Sequence, residues 1–203
     1  MERTGPVRAD GSLSEATIIL LHAVSQVDLE LLRAVRIRPS RSNWFRAPWY
    51  RYHRGGAITI GRTIWFTFIW FAPDGSGDGS LRSTWKWLLH LAHEVGHLPQ
   101  AERFGRSLWG KARYVAAFTW QYGSRALLLR RPIHDGSRLE READLGRQVL
   151  MQLIGQAGSD HPVVTAIHEG DAQATRKWCA QNTAKITALA ANYREHNSVS
   201  ARS

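Results

Sequence analysis

The chain holds a single cysteine, Cys179, among 203 residues. One thiol forms no internal disulfide and rules out a zinc site built on two or more cysteines. A reducing compartment fits this composition, and Cys179, between Trp178 and Ala180, reads as a buried residue without a role. A long apolar run is also missing. The most hydrophobic stretch, 57–73, is interrupted by Arg62 and is shorter than the roughly 20 residues that a spanning helix needs. The first residues, MERTGPVRADGSL, carry no apolar core after their charges. No signal peptide or transmembrane segment is therefore expected, and the expected location is cytoplasmic or outside the cell by a non-classical route. Repeats and low-complexity arrays are absent too.

Acids are scarce, and unevenly so. Lys and Arg total 27 against 17 Asp and Glu, a formal net charge of +10. The stretch 31–73 holds eight arginines and no acid, and 103–134 is also acid-free. Such a surface attracts polyanions, whether nucleic acid, acidic lipid or an acidic protein. A basic surface without a dedicated partner is the plain alternative. Within the first stretch Trp44, Trp49, Tyr50 and Tyr52 alternate with Arg41, Arg46, Arg51 and Arg54. Rings among guanidinium groups can stack on bases or sit at a headgroup layer, and they equally pair with one another as cation–π contacts.

What is present suits a folded domain. Hydrophobic residues make up 43% and charged residues 22%, so a disordered or collagen-like chain is excluded. The length predicts one domain over 13–203 after a loose tail, 1–12. Helices are expected at 13–23 and 29–35, with Ser25 and Asp28 as caps before the second and Pro39 ending the region. GAITIGRTIWFTFIWF predicts one or two strands around Gly61. Four helices should follow: Ser83 to Leu98, stopped by Pro99; Ser107 to about Leu128, packing through Leu108, Ala112, Val115, Ala116, Thr119 and Tyr122; Ser137 to about Gly155; and Ala172 to about Glu195. The expected class is α+β, mainly helical, with a small sheet before the first of these four helices.

That first helix contains His93-Glu94-Val95-Gly96-His97, an HExxH sequence. Four residues span just over one turn, so His93 and His97 project from one face and can share a metal ion. Neutral imidazole suits Zn²⁺, and two such ligands leave places for a third ligand and a water. Glu94, about 100° round the helix from His93, is placed to take that water's proton. Composition alone would produce HExxH in about two of a hundred such chains. Three polar side chains on an otherwise apolar helix need partners, and a metal would provide them. His90 lies near the same face, as a packed histidine, a supporting group or a further ligand.

The third ligand is expected later, and the strongest candidate is Glu140 in SRLEREADLGRQVL. Asp144 then lies one turn on, able to accept a hydrogen bond from the outer nitrogen of a ligand histidine, with Arg147 near enough to pair with it. Glu142 points away. Ser137-x-x-Glu140 is also a capping-box pattern that would turn Glu140 onto its own helix, and His134 is the rival ligand. A transition-state oxyanion would want a further electrophile, for which Tyr114, Tyr122 and His134 are available. The strand around Ile58 to Phe68 is a candidate edge for holding an extended peptide, or an ordinary core strand.

HExxH followed by a Glu-x-x-Ala-Asp helix resembles the gluzincin metallopeptidases. The sequence more closely resembles the extracellular contractile injection system core domain, a metallopeptidase-type domain of bacteria. Three features carry this: the GAITIGRTIWF strand region at 56–66, the HEVGHLPQ run ending in Gln100, and Leu139-Glu140-Arg141-Glu142-Ala143-Asp144. They span 56–144, with an unusually aromatic strand and a long basic connection at 103–134. The resemblance implies a zincin-like fold with Zn²⁺ held by His93, His97 and Glu140, Glu94 as the catalytic base and Asp144 supporting a histidine. The function expected is peptide-bond hydrolysis on a protein or peptide substrate. The alternatives are a catalytically silent zinc-stabilised binding module, such as a toxin or secretion-system component, and a basic nucleic-acid-associated protein.

Overall fold

Apolar residues three and four apart decide how the helix bearing the motif sits. Helix α3 (Leu81–Gly96) buries Thr84, Trp87, Leu88, Leu91, Ala92 and Val95 along one stripe. The computed structural model of the chain describes residues 5–40, 57–67, 80–105, 107–124 and 138–199. Within them α3 is central, packed by α1 (Glu15–Ser25), α7 (Leu145–Ile154) and α8 (Pro162–Glu169). The long α9 (Ala172–Val199) lies against α1, α7 and α8. Helix α1 buries Ala16, Ile18, Leu20, Leu21 and Val24, as a helix apolar on nearly all sides must. Each fully buried Leu or Ile here, such as Leu20, Leu88, Leu91 and Ile167, contributes roughly 1.5–3 kcal/mol by leaving water.

The described sheet has three strands in the order β1-β3-β2: β1 (Arg36–Ser40), β2 (Ala57–Ile60) and β3 (Thr63–Thr67). The pair expected around Gly61 is the antiparallel hairpin β2–β3, turning at Gly61–Arg62. On β3, Ile64 and Phe66 face the core while Trp65 between them is exposed, and Phe66 stacks on Trp87 of α3 with ring centroids 5.8 Å apart. The fold is thus mainly helical with a small sheet, as expected.

Several expectations need correction. Pro39 does not end the second region. It lies within β1, which runs parallel to β3 and is an outer strand of the described sheet, where proline is tolerated. Residues 5–12 are not loose: the Pro6 carbonyl accepts from Ser14 N and Thr17 Oγ1, and Ile37 N donates to Gly11 O at 2.7 Å. Asp28 caps α2 (Leu29–Ala34) by accepting from Glu30 N at 2.8 Å, whereas the Ser25 hydroxyl turns back to Leu21 O inside α1. Helix α3 starts at Leu81, two residues before the expected Ser83, with Ser80 as its cap, and ends before Pro99. That proline occupies the first turn of a new helix, α4 (Leu98–Phe104), where its missing N–H has no partner to lose.

The helix expected over 137–155 is two, α6 (Arg138–Ala143) and α7, meeting at Asp144. Helix α5 (Leu108–Ser124) forms, with Ser107 Oγ accepting from Gly110 N, but packs through another face. Leu108 and Val115 are exposed, as are Ala112 and Ala116, while Gly110 and Tyr114 are buried. The Thr119 and Tyr122 side chains lie outside the described residues. Helix α8 was not anticipated, although Pro162 in its first turn and Gly170 at its left-handed end are ordinary boundary signals.

Candidate metal centre

Two glycines set how closely the helices meet. A Cβ on Gly96 would stand 2.6 Å from Ala143 Cα and nearer still to that residue's carbonyl. A Cβ on Gly146 would lie 2.8 Å from Ser25 Cβ and 3.0 Å from Ala92 O. Without these side chains, the last turn of α3 rests directly on the α6–α7 junction. The contact brings Glu140 of α6 up to His93 of α3 and to His97, which caps its C-terminal end.

The inner nitrogens of both rings face that one carboxylate. His93 Nε2 lies 3.2 Å from Glu140 Oε2, and His97 Nε2 lies 3.8 Å from Glu140 Oε1. The rings meet edge to face, centroids 5.0 Å apart. Among the described residues, His93, His97 and Glu140 form the group whose donor atoms all fall within 4.8 Å of one another. Ligands 2.0–2.1 Å from a tetrahedral zinc stand about 3.4 Å apart, so the observed spacings suit that ion. Two imidazoles and one carboxylate are also a donor set that zinc favours, with a position left for water.

The outer nitrogens are held as well. Asp144 Oδ1 is 2.9 Å from His93 Nδ1 and 2.7 Å from Arg147 Nε. Its Oδ2 accepts from Arg147 Nη2 at 3.0 Å and from Gln148 Nε2 at 2.7 Å. An ionised carboxylate only accepts, so His93 Nδ1 carries a hydrogen. At His97 the same result comes through an amide. Gln100 Nε2 donates to Leu139 O at 2.8 Å, because a carbonyl can only accept. Gln100 Oε1 therefore faces His97 Nδ1, 2.9 Å away, and that nitrogen is the N–H. Each ring is fixed in orientation, with Nε2 directed at the cluster.

Glu94 stands beside the cluster, buried, and Thr59 Oγ1 of β2 donates to its Oε2 at 2.7 Å. Strand β2 turns Thr59 inward and leaves Ile58 outward and 37% exposed, against the usual apolar order. The buried carboxylate accounts for the inversion, since it needs a donor that isoleucine lacks.

Electrostatics follow from the crowding. Burial opposes a charge on His93, but hydrogen bonds to Asp144 and Glu140 and the nearby Glu94 outweigh it, raising its pKa to about 10. Burial also opposes charge on Asp144, yet the His93 and Gln148 hydrogen bonds and the Arg147 charge hold its carboxyl below the usual range. His90 is outside the cluster; burial, Arg147 and His93 push it down to about 4 and keep it neutral.

Of the candidate stabilisers, Tyr114 is buried on α5 with its ring against Phe104. Burial and then the charges of Glu94 and Glu140 push its hydroxyl pKa upward. His134 and the Tyr122 side chain lie outside the described residues, as do Ser137 and the aromatic–arginine segment at 41–56. Gln100 and Thr59 carry roles that sequence reasoning had not assigned. A threonine between isoleucines on a strand preceding the motif is the available signal for Thr59; Gln100 stood in the HEVGHLPQ run without a function.

Comparison of the chain with protein-family models, curated proteins and solved structures returns no match. Among the described residues no helix is long and apolar enough to cross a membrane.

Proposed function

We propose that the chain is a zinc-dependent metallopeptidase of the gluzincin type, with a zincin-like arrangement of sheet, HExxH helix and Glu-bearing helix. The observation that carries this is the convergence of His93, His97 and Glu140, with Glu94 adjacent and both histidines held at Nδ1. His93, His97 and Glu140 would hold the ion. Bound there, Zn²⁺ supplies a Lewis acid and a water acidified toward neutral pH. Glu94, one oxygen steadied by Thr59, accepts the proton of the attacking water and passes it to the leaving amine. Tyr114 is the group proposed to donate toward the developing oxyanion. Strand β2, outermost in the described sheet and joined to Glu94 through Thr59, is the edge proposed to hold an extended peptide.

Zinc content and hydrolysis of a mixed peptide library test it together. Wild type should retain one zinc per chain, Glu142→Ala should retain it, and Glu140→Ala should lose it. Glu94→Gln should retain zinc and lower hydrolysis by about 10²–10⁴-fold. A wild type without zinc, or tight retention by Glu140→Ala, overturns the ligand set. Stoichiometric zinc with no cleavage of any peptide overturns the peptidase and favours the silent binding module.

A further inference from the structure

A concave site lies where α4, α6 and the last turns of α9 converge with the α1–α2 junction. It is a cleft of about 540 Å³, within the range of small-molecule pockets. Arg103 of α4, Arg141 of α6 and Arg194 of α9 line it, against one carboxylate, Glu142. Arg103 Nη1 and Glu142 Oε2 are 3.7 Å apart, so the lining as a whole keeps an excess of positive charge. Val27, Leu145 and Tyr193 contribute an apolar wall. Tyr193 is fixed by its hydroxyl, which donates to Arg141 O at 3.0 Å and ties α9 to α6.

Guanidinium groups present forked donors that match the paired oxygens of a carboxylate or phosphate. Groups brought in from separate helices around an apolar wall make a receptor, whereas a solvated basic face spreads its charges over one element. We propose that this cleft binds a small amphiphilic anion, a phosphate or carboxylate head on an aromatic or aliphatic body, with Arg141 and Arg194 on the head and Val27, Leu145 and Tyr193 on the body. The proposal does not rest on the metallopeptidase reading, because none of these five residues is among the proposed metal ligands or their hydrogen-bond partners, although Gly96 and Gln100 line the same cleft.

Calorimetric titration of the full chain, freed of metal by chelator and dialysis, with phenyl phosphate, benzoate and phenol tests it. Metal coordination cannot then account for the heat. Phenyl phosphate or benzoate should bind saturably at one per chain, with the tighter of the two naming the head group, and phenol at least about tenfold more weakly. Arg141→Ala and Arg194→Ala should each weaken the anion by about tenfold or more. Arg176→Ala, an exposed position on the same helix about 27 Å away, makes the same charge change and should leave affinity within about twofold. Arg194 is exposed near the end of α9, so its variant keeps the fold even if Arg141→Ala does not. No saturable binding of either anion, equal binding of phenol, or equal weakening by Arg176→Ala overturns the proposal.

Discussion

The two sides of the His93–His97–Glu140 cluster hold their histidines by opposite means. Toward α7, His93 leans on a charged group, Asp144, whose oxygens take four contacts from His93, Arg147 and Gln148. Toward α4, His97 leans on a neutral amide, Gln100, itself referred to the Leu139 backbone of α6. The charged side favours a cation and, when no metal is bound, holds a proton at His93. The neutral side adds no charge but ties the ring's angle to the position of the helix that carries Glu140. One half supplies attraction and the other supplies alignment, so the same loss of a side chain should act differently on each.

The change expected to break both halves at once is Gly96→Ala. Its methyl group would collide with Ala143 and drive α6 away from α3. Overpacking of this kind costs about 3 kcal/mol, more than the roughly 1 kcal/mol alanine gains in an ordinary helix. The net loss of about 2 kcal/mol lowers Tm by about 4–8 °C for a chain of this length, and this fall, together with lost zinc, is the expected result in a thermal melt. An unchanged Tm would show that the helices yield.

A middle-sized effect separates the halves. Removing an outer partner of a ligand histidine typically weakens metal binding about 10–100-fold. Asp144→Ala should fall near the upper end and Gln100→Ala near the lower, read by competition with a zinc chelator. Equal losses would show that alignment alone matters and that the Asp144 charge adds nothing.

A pH profile sharpens the comparison further. His93 in the metal-free protein has a pKa raised from 6.5 to about 10. Its protonated form therefore adds stability that is complete below about pH 6.5 and lost as pH rises through about 10. In melts of chelator-treated protein, wild type should exceed Asp144→Asn most near pH 6.5, and the gap should narrow toward pH 10. A gap constant across that window would place the stabilising proton elsewhere.

Much of this site was legible because helical spacing is strict. His93 and His97, one turn apart at the end of α3, share a face by geometry, and Asp144, one turn beyond Glu140 at the α6–α7 junction, follows from the same spacing. The partners reached across the fold were harder. Thr59 meets Glu94 only through the β2–α3 packing, and the Gln100 amide matters only because Leu139 O lies behind it. The α5 face failed for a related reason. Its alanines, Leu108 and Val115 form an apolar stripe by pattern, yet Tyr114 on another side takes the buried position, its ring against Phe104. Periodicity says which residues share a face and leaves open which face the neighbours want.

Gly96 has a meaning beyond the closeness of two helices. Within HExxH the residues written as x are those chemistry leaves free, and here the second of them has no donor atom to offer. In this fold it is nonetheless the position with least room for change, because any side chain there would be felt at Ala143 before it reached an ion. A library that randomises the motif while keeping its two histidines and its glutamate should accordingly recover several apolar residues of valine's size at the buried position 95 and glycine alone at 96.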